Sequence, residues 1–550
     1  MKHLLPLLLA ALLVFSGCAA GEKISQTPTE SESLAQSPSD VANAAYESRF
    51  DSEMLITLSD AGVKTDASGV FTSNDIVYYE DRDSYESGNP YGEGADGDKH
   101  SAEEAGAHTV VNITEPGAYR VTGKLSAGQI RIDLGEDAYD DPDAVVELIL
   151  DDAEITCTVA PAILFLNVYE CDGAWSTETA KAEVDTSEAG ANLILEGENK
   201  VSGSYVARIY KDKEGEKKLW KQDGAIYSYM SMNVFGPGVL ELNAENEGMD
   251  TELHLTIHGG NIIIRSGNDG INTNEDGVSV TTINGGDIHI VAGLGEEGDG
   301  IDSNGYLVIN GGRVISAAKP AADAGLDSDL GSYIHGGTVI ALGSSMDWAE
   351  SDSDQVTMNL RFGQHQKGAI RILREDGMEV FSFDPAADAV LSENERTYQG
   401  AILSCPDFKI GDSYEVFVGE TQMMYTGTDV MMRPGGFGGG FGGGRPDNAP
   451  PEGFDGQKPA DMELPEGFGD EIPTWEHGEK PENIPGQMPD GGERPEKPEG
   501  WEPGGFRGSH GEGDFGGKGG LGTEEPGEGK TLFYMQDKVN FFSGLTAVTE

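Results

Sequence analysis

A pair of glycines returns every 25 or 26 residues in the middle of this chain, and few folds tolerate a period of that length. The Gly-Gly pairs end at Gly260, Gly286, Gly312 and Gly337, at intervals of 26, 26 and 25 residues. A second glycine, at 224, 248, 270, 300 and 325, precedes an apolar residue in each unit. Self-similarity at a fixed period of this size is the mark of stacked-repeat folds. The runs between the glycines are short, β-branched and without helical period. Two or three such strands per unit make one turn of a parallel β-helix, in which each repeat is stabilised by its neighbours. Stacking the units predicts three inward apolar ladders. They are Ile226, Met249, Ile271, Ile301, Leu326; then Ile257, Ile283, Ile309, Ile334; then Ile262, Ile288, Val314, Val339. His258, Asn284, Asn310 and His335 align at a turn, where side-chain ladders satisfy backbone groups. A sandwich of short strands is the alternative, and it gives no reason for three ladders to hold one phase.

The expected organisation follows from composition shifts along the chain. Residues 1–17 read as a lipoprotein signal peptide: Lys2 and His3 precede an apolar run too short to span a bilayer, and Phe15-Ser16-Gly17-Cys18 resembles a lipobox. Cys18 is then the residue lipidated and left at the mature N-terminus, although an ordinary cleaved signal peptide fits the same run. Residues 18–45 form a flexible Ser/Thr/Pro-rich tether. Residues 46–107 are an N-terminal region with an acidic loop. Residues 108–345 are the β-helix, residues 346–433 a small β cap. Residues 434–530 are Gly/Pro/Glu-rich and predicted to be a disordered insertion, after which residues 531–550 return as a terminal strand packing back on the cap. Cys157, Cys171 and Cys405 form no C-x-x-C pair, which excludes a zinc ribbon and favours buried free thiols.

The chemistry lies beside the first ladder. Asp250 and Glu252, Asn272 and Asn274, Asp302 and Asn304, and Asp327 and Asp329 are spaced by two, so each pair shares one strand face. Equivalent residues of successive coils stand about 4.8 Å apart, so the eight side chains form a grid of oxygens. Asp269 and Asp299, just before the turn glycines, reach the same edge. Carboxylates about 5 Å apart repel by roughly 1–3 kcal/mol near a protein surface. A hard cation relieves that repulsion, and an all-oxygen set without His or Cys suits Ca²⁺. A solvated polar face is the plainer alternative. In the coil DGAIYSYMSMN, Tyr227 and Tyr229 take the grid positions. They are candidates for stacking on sugar, or else simply buried tyrosines; Trp220, Tyr306, Tyr333 and Trp348 are further aromatic candidates. The formal net charge of −61, from 97 acidic and 36 basic residues, excludes nucleic acid as a direct partner. No G-x-S-x-G, H-E-x-x-H, P-loop or dinucleotide motif occurs.

Residues 109–419 resemble the bacterial carbohydrate-binding domain-containing proteins. The resemblance rests on GAYRVTGKLSAGQIRID, VELILDDAEI, DGAIYS, GPGVLEL, the coil motifs, SDSDQ before the cap and SGL near Ser543. It implies a right-handed, pectate-lyase-like parallel β-helix with bound Ca²⁺ that holds cellulosic or acidic polysaccharide without cleaving it. Against that pattern, Tyr79–Glu104, Lys211–Lys221 and the Gly/Pro tract are additions, and Asn272 and Asn274 lower the charge of the grid. The expectation is therefore a monomeric, extracellular, surface-tethered polysaccharide binder, not an enzyme, touching membrane only through its N-terminal lipid. A Ca²⁺-dependent lyase is one alternative, with Arg265 and Arg313 the arginines of the sharp repeats. A structural or adhesion protein is the other. Since a chain this acidic repels polyuronate, binding it requires calcium as a bridge.

Overall fold

The computed structural model describes residues 46–81, 94–173, 176–177, 179–210, 218–295, 297–320, 323–344, 348–394, 396–427 and 529–548. The signal peptide, Cys18, the tether and nearly all of residues 434–530 lie outside the described residues. The side chain of Trp220 does as well. Among the described residues, strands dominate and Ala102–Gly106 is one short helix. No described helix is long and apolar enough to cross a membrane.

The repeats form three runs of parallel strands. One run contains Met232–Phe235, Leu255–Ile257, Val280–Ile283, Tyr306–Ile309 and Gly331–Ile334. A second contains Val239–Ala244, Asn261–Ser266, Asp287–Val291, Arg313–Ala317 and Thr338–Gly343. The third, which carries the acidic residues, contains Gly224–Ser228, Glu247–Thr251, Ile271–Thr273 and Ile301–Ser303. The chain passes through one strand of each run before starting the next coil. Each strand pairs in parallel with its equivalent one repeat on: Ile226 with Met249, then Ile271, then Ile301, and by an isolated bridge Leu326. The other two ladders pair as the sequence aligns them, Ile257 through Ile334 and Ile262 through Val339. These residues are 0–1% exposed, and burying each isoleucine contributes about 1.5–3 kcal/mol. At the turn, Asn310 Nδ2 donates to Asn284 Oδ1 at 2.8 Å, and Asn284 lies 3.4 Å from His258 Nδ1.

The Gly-Gly rule has a steric origin. The second glycine of each pair has positive φ, +80° at Gly312, and a β-carbon there would stand 2.7 Å from the Gly286 carbonyl oxygen of the coil below. From Gly286 on, each coil turns on a glycine resting on the previous coil's glycine.

Beyond Gly343 the pairing becomes antiparallel. Thr338–Gly343 pairs with Tyr398–Ser404, which also pairs with Thr357–Gln366. The C-terminal strand Val539–Ala547 lies parallel to Thr357–Gln366, with Thr357 opposite Val539. Cys157 and Cys405 are buried free thiols, and Cys171 is a half-buried one.

The cap is also latched to the outer face of the second run. His289 Nε2 lies 3.0 Å from Asp287 Oδ1 on its own strand, and its Nδ1 lies 3.3 Å from Asp388 Oδ2 of the cap. Arg313, one coil on, sits 3.2 Å from Asp287 and 3.1 Å from His289. Burial alone would lower the His289 pKa, but the hydrogen bonds to Asp287 and Asp388 raise it on balance. Asp388, despite its own burial, is pulled down to about 2 by His289 and by backbone N–H groups. A raised histidine pKa stabilises fully below its unfolded value and is lost as pH climbs through the native value. Thermal melts should therefore show stability falling as pH rises above ~6.5. His289→Gln should flatten that slope, and an unchanged slope would show that the latch carries no linked proton.

Candidate functional site

Strand register turns the acidic residues into three columns. Tyr227, Asp250, Asn272 and Asp302 are direct neighbours, and the Ile301–Leu326 bridge sets Asp327 next in line. Glu252, Asn274, Asn304 and Asp329 follow two residues on, at the strand ends. The third column, two residues before the ladder, holds Glu247, Asp269 and Asp299. All ten acidic and amide residues singled out by spacing thus come together along one run of strands.

Two carboxylates of the site, Asp223 and Glu247, lie outside those ten. One carboxylate oxygen from each of Asp223, Glu247 and Asp250 lies within 4.8 Å of the others, and the residues are 5%, 3% and 0% exposed. Glu247 stands just before Gly248 as Asp269 and Asp299 stand before Gly270 and Gly300, so the rule that singles out those two finds it as well. Gly224 pairs with Glu247 and not with Gly248, so the first coil is one residue out of step with the rest. Asp223 lies one residue before Gly224 at the same edge.

The structure corrects the picture of an open outward wall. Asp250 is fully buried, and Asn272, Asn274 and Asp269 are 6%, 7% and 8% exposed; Asp329, at the far end, is exposed. Backbone N–H groups of the next coil reach two of the acidic side chains. The Asp299 N–H donates to Asp269 Oδ1 at 2.7 Å, and the Ala324 N–H to Asp299 Oδ1. Asn274 Nδ2 donates to Asp250 and to the Thr251 carbonyl at 3.2 Å. Asn304 Nδ2 donates to the Asn274 carbonyl at 2.8 Å and to Asp276 at 3.1 Å. The tyrosines take the buried alternative. Tyr227 is 0% and Tyr229 7% exposed, their rings pack edge-on at 5.1 Å, and the Tyr227 hydroxyl donates to Glu252. Neither offers a face for a sugar.

Burial has an electrostatic consequence. The Asp269 carboxyl is pushed well above the ordinary carboxylate range by burial, and further by Glu247, Asp302 and Asp299. Asp299 is raised by burial and by Asp327, Asp302 and Asp323. Asp329 is raised in the same sense by burial, Asp327 and Asp276. The ladder therefore resists ionisation as it stands. Asn272 Oδ1, in the column between Asp250 and Asp302, is buried without a hydrogen-bond donor. A carbonyl oxygen so placed and a set of crowded carboxylates, with no His or Cys, have the donor chemistry of a Ca²⁺ site. The residues present fit that ion.

Arg265 and Arg313 are placed elsewhere. Both lie on the second run, where Arg265 pairs with Glu393 of the cap at 3.1 Å and Arg313 with Asp287.

Comparison with known proteins bears on this site. A protein from Acetivibrio thermocellus described as a carbohydrate-binding domain-containing protein is 29% identical over 176 residues, 31% of this chain. This chain spans about half, 51%, of that relative's length. A solved structure of a polysaccharide lyase-like protein from C. thermocellum, a gadolinium derivative, shares 22% identity over 52% of this chain and 93% of its own. Its TM-score of 0.31 is too low to carry weight. The family model for the carbohydrate-binding domain-containing proteins matches residues 107–404, just over half of the chain, and spans every column described above. The chain belongs to the carbohydrate-binding domain-containing protein family.

Proposed function

We propose that this chain is a non-catalytic polysaccharide-binding protein whose acidic columns hold Ca²⁺ on a right-handed parallel β-helix. The observation that carries the reading is the cluster of buried carboxylates Asp223, Glu247, Asp250 and Asp269, continued by half-buried Asp299. A family that binds carbohydrate has no evident use for a file of mutually repelling acids unless a cation joins them. Asp302, Asp327 and Asp329 at the more open end would hold calcium there, and the ion would supply the positive charge that attracts uronate carboxylates. A lyase would need a basic residue beside the metal to remove a sugar C–H proton. The ion-paired positions of Arg265 and Arg313 on a different run argue against either serving as that base.

The deciding experiment is retention on immobilised polygalacturonate, in calcium and then in excess chelator, while the absorbance of unsaturated uronide is followed. Calcium-dependent retention at constant absorbance is expected. Rising absorbance would make the protein a lyase, and equal elution in both conditions would end the uronate reading. Stability gives an independent check. Asp269→Asn removes one repelling charge, so it should raise the Tm of the chelated protein, by about 1 kcal/mol in stability. It should also shrink the rise in Tm that calcium gives the parent. A variant less stable in chelator, with an undiminished calcium response, would place the ion elsewhere.

The same reading puts the protein at the cell surface, tethered through lipid on Cys18. The lipobox Phe15–Cys18 motivates this. Mass spectrometry of the mature N-terminus should find a thioether-linked lipid on Cys18, and an unmodified N-terminus at another residue would refute the anchor.

A further inference from the structure

One stretch of the cap, residues 388–396, lies against the second run and ends in a buried cation. Asp388 meets His289, and Glu393 meets Arg265 at 3.1 Å. Between them Leu391, 0% exposed, packs in one apolar cluster with Val291 and Ala317. Arg396 closes the stretch. Its Nη1 donates to the Ala318 carbonyl at 3.1 Å and its Nη2 to the Ala292 carbonyl. The side chain is buried, its Nε finds no acceptor, and among the described residues no carboxylate pairs with it. Burial alone pulls its pKa down, to about 10. A guanidinium removed from both water and counter-ion is costly to keep.

The two carbonyls it holds mark the place where the parallel ladder breaks. Ala292 and Ala318 are equivalent residues of successive coils, each one past the end of its strand. The Ala292 N–H still donates to Ala317, and the Ala318 N–H to Leu342. Continuing the ladder, the Lys319 N–H would donate to Ala292 and the Ser344 N–H to Ala318. Both turn away. Lys319 N–H goes to the Gly298 carbonyl at 3.1 Å, and Ser344 N–H to the Asp323 carbonyl at 3.0 Å. Those acceptors lie in the turns that lead into the acidic columns. Gly298 precedes Asp299 and donates its own N–H to Asp323 Oδ2 at 2.9 Å, while the Ala324 N–H donates to Asp299 Oδ1. The planar fork of Arg396 satisfies the two carbonyls that the diverted amides leave behind, about 4.8 Å apart on neighbouring coils.

We propose that Arg396 is a positioning residue of the acidic site: by taking the Ala292 and Ala318 carbonyls it lets the Lys319 and Ser344 amides fix the turns that carry Asp299 and Asp323. The proposal rests on the calcium reading above and deepens it, since it makes the cap a working part of the ion site. Arg396 itself bonds only to carbonyls and stays apart from the ion.

Hydrogen exchange and calcium titration of the full chain test this together. Arg396→Met keeps an unbranched side chain and removes the charge and both donors, while Asp388, Leu391 and Glu393 keep the stretch docked. In chelator, the Gly298 and Ala324 amides should exchange faster in this variant than in the parent. At least one step of its calcium isotherm should weaken about tenfold. Phe542→Leu is the control: it loosens the cap core beside Phe533 and Tyr425 and leaves Arg396 in place. It should keep the parent's exchange at those two amides and the parent's isotherm. Arg396→Met with unchanged exchange or an unchanged isotherm overturns the proposal. So does equal weakening in Phe542→Leu, which would make general loosening of the cap the cause. A parent that takes up no calcium defeats the calcium reading, and this role with it, whereas a parent and an Arg396→Met variant that bind equally well defeat this role alone.

Discussion

Parallel pairing of one coil with the next is the interaction on which everything else in this protein depends. No single turn can bury an apolar face, so the ladders of Ile226, Ile257 and Ile262 acquire a core through the coils that follow them. Parallel strands also fix register tightly, since a slip of one residue would turn each isoleucine outward. The turn glycines enforce the same spacing sterically, because Gly312 rests on the backbone of Gly286. Strand, turn and core thus impose one repeat from three directions.

That regularity creates the electrostatic problem from which the candidate site arises. Whatever stands at a position in one coil is carried directly over its counterpart in the next. For isoleucine or asparagine the result is a favourable ladder; for aspartate it is a file of like charges. The fold answers in part with backbone N–H groups, as when Asp299 donates to Asp269. The raised pKa values of Asp269 and Asp299 show that this answer is incomplete. A divalent ion would complete it, and would make the acidic run cohesive where it is now repulsive.

How far the sequence discloses this depends on whether the information is periodic. The ladders are readable because the Gly-Gly period locks the phase, and Ile283, Ile309 and Ile334 could be aligned by counting. Glu247 is as legible as Asp269 and Asp299, since it too stands just before a turn glycine, Gly248, and Asp223 stands likewise before Gly224. The burial of Tyr227 and Asp250 was not readable in the same way. Alternation assigns a side chain to a face, but it does not say what the rest of the fold lays over that face. The His289–Asp388 latch joins residues about a hundred positions apart and has no local signal at all.

The way the C-terminal strand is fastened has a consequence for the long tract that precedes it. Tyr425 pairs with Lys530, and Gly427 with Ser543, so the two ends of the intervening segment are clamped side by side on the cap. Val539–Ala547 then completes the sheet beside Thr357–Gln366. A detour whose entrance and exit coincide can grow or shrink at little cost, about 0.6 kcal/mol for each doubling of its length. It can also be severed without separating the parts, since the last strand is held as a peg in its socket by neighbours and not by the peptide chain leading to it. The parallel coils and the cap sheet are thus joined by pairings that do not depend on the residues between 427 and 529.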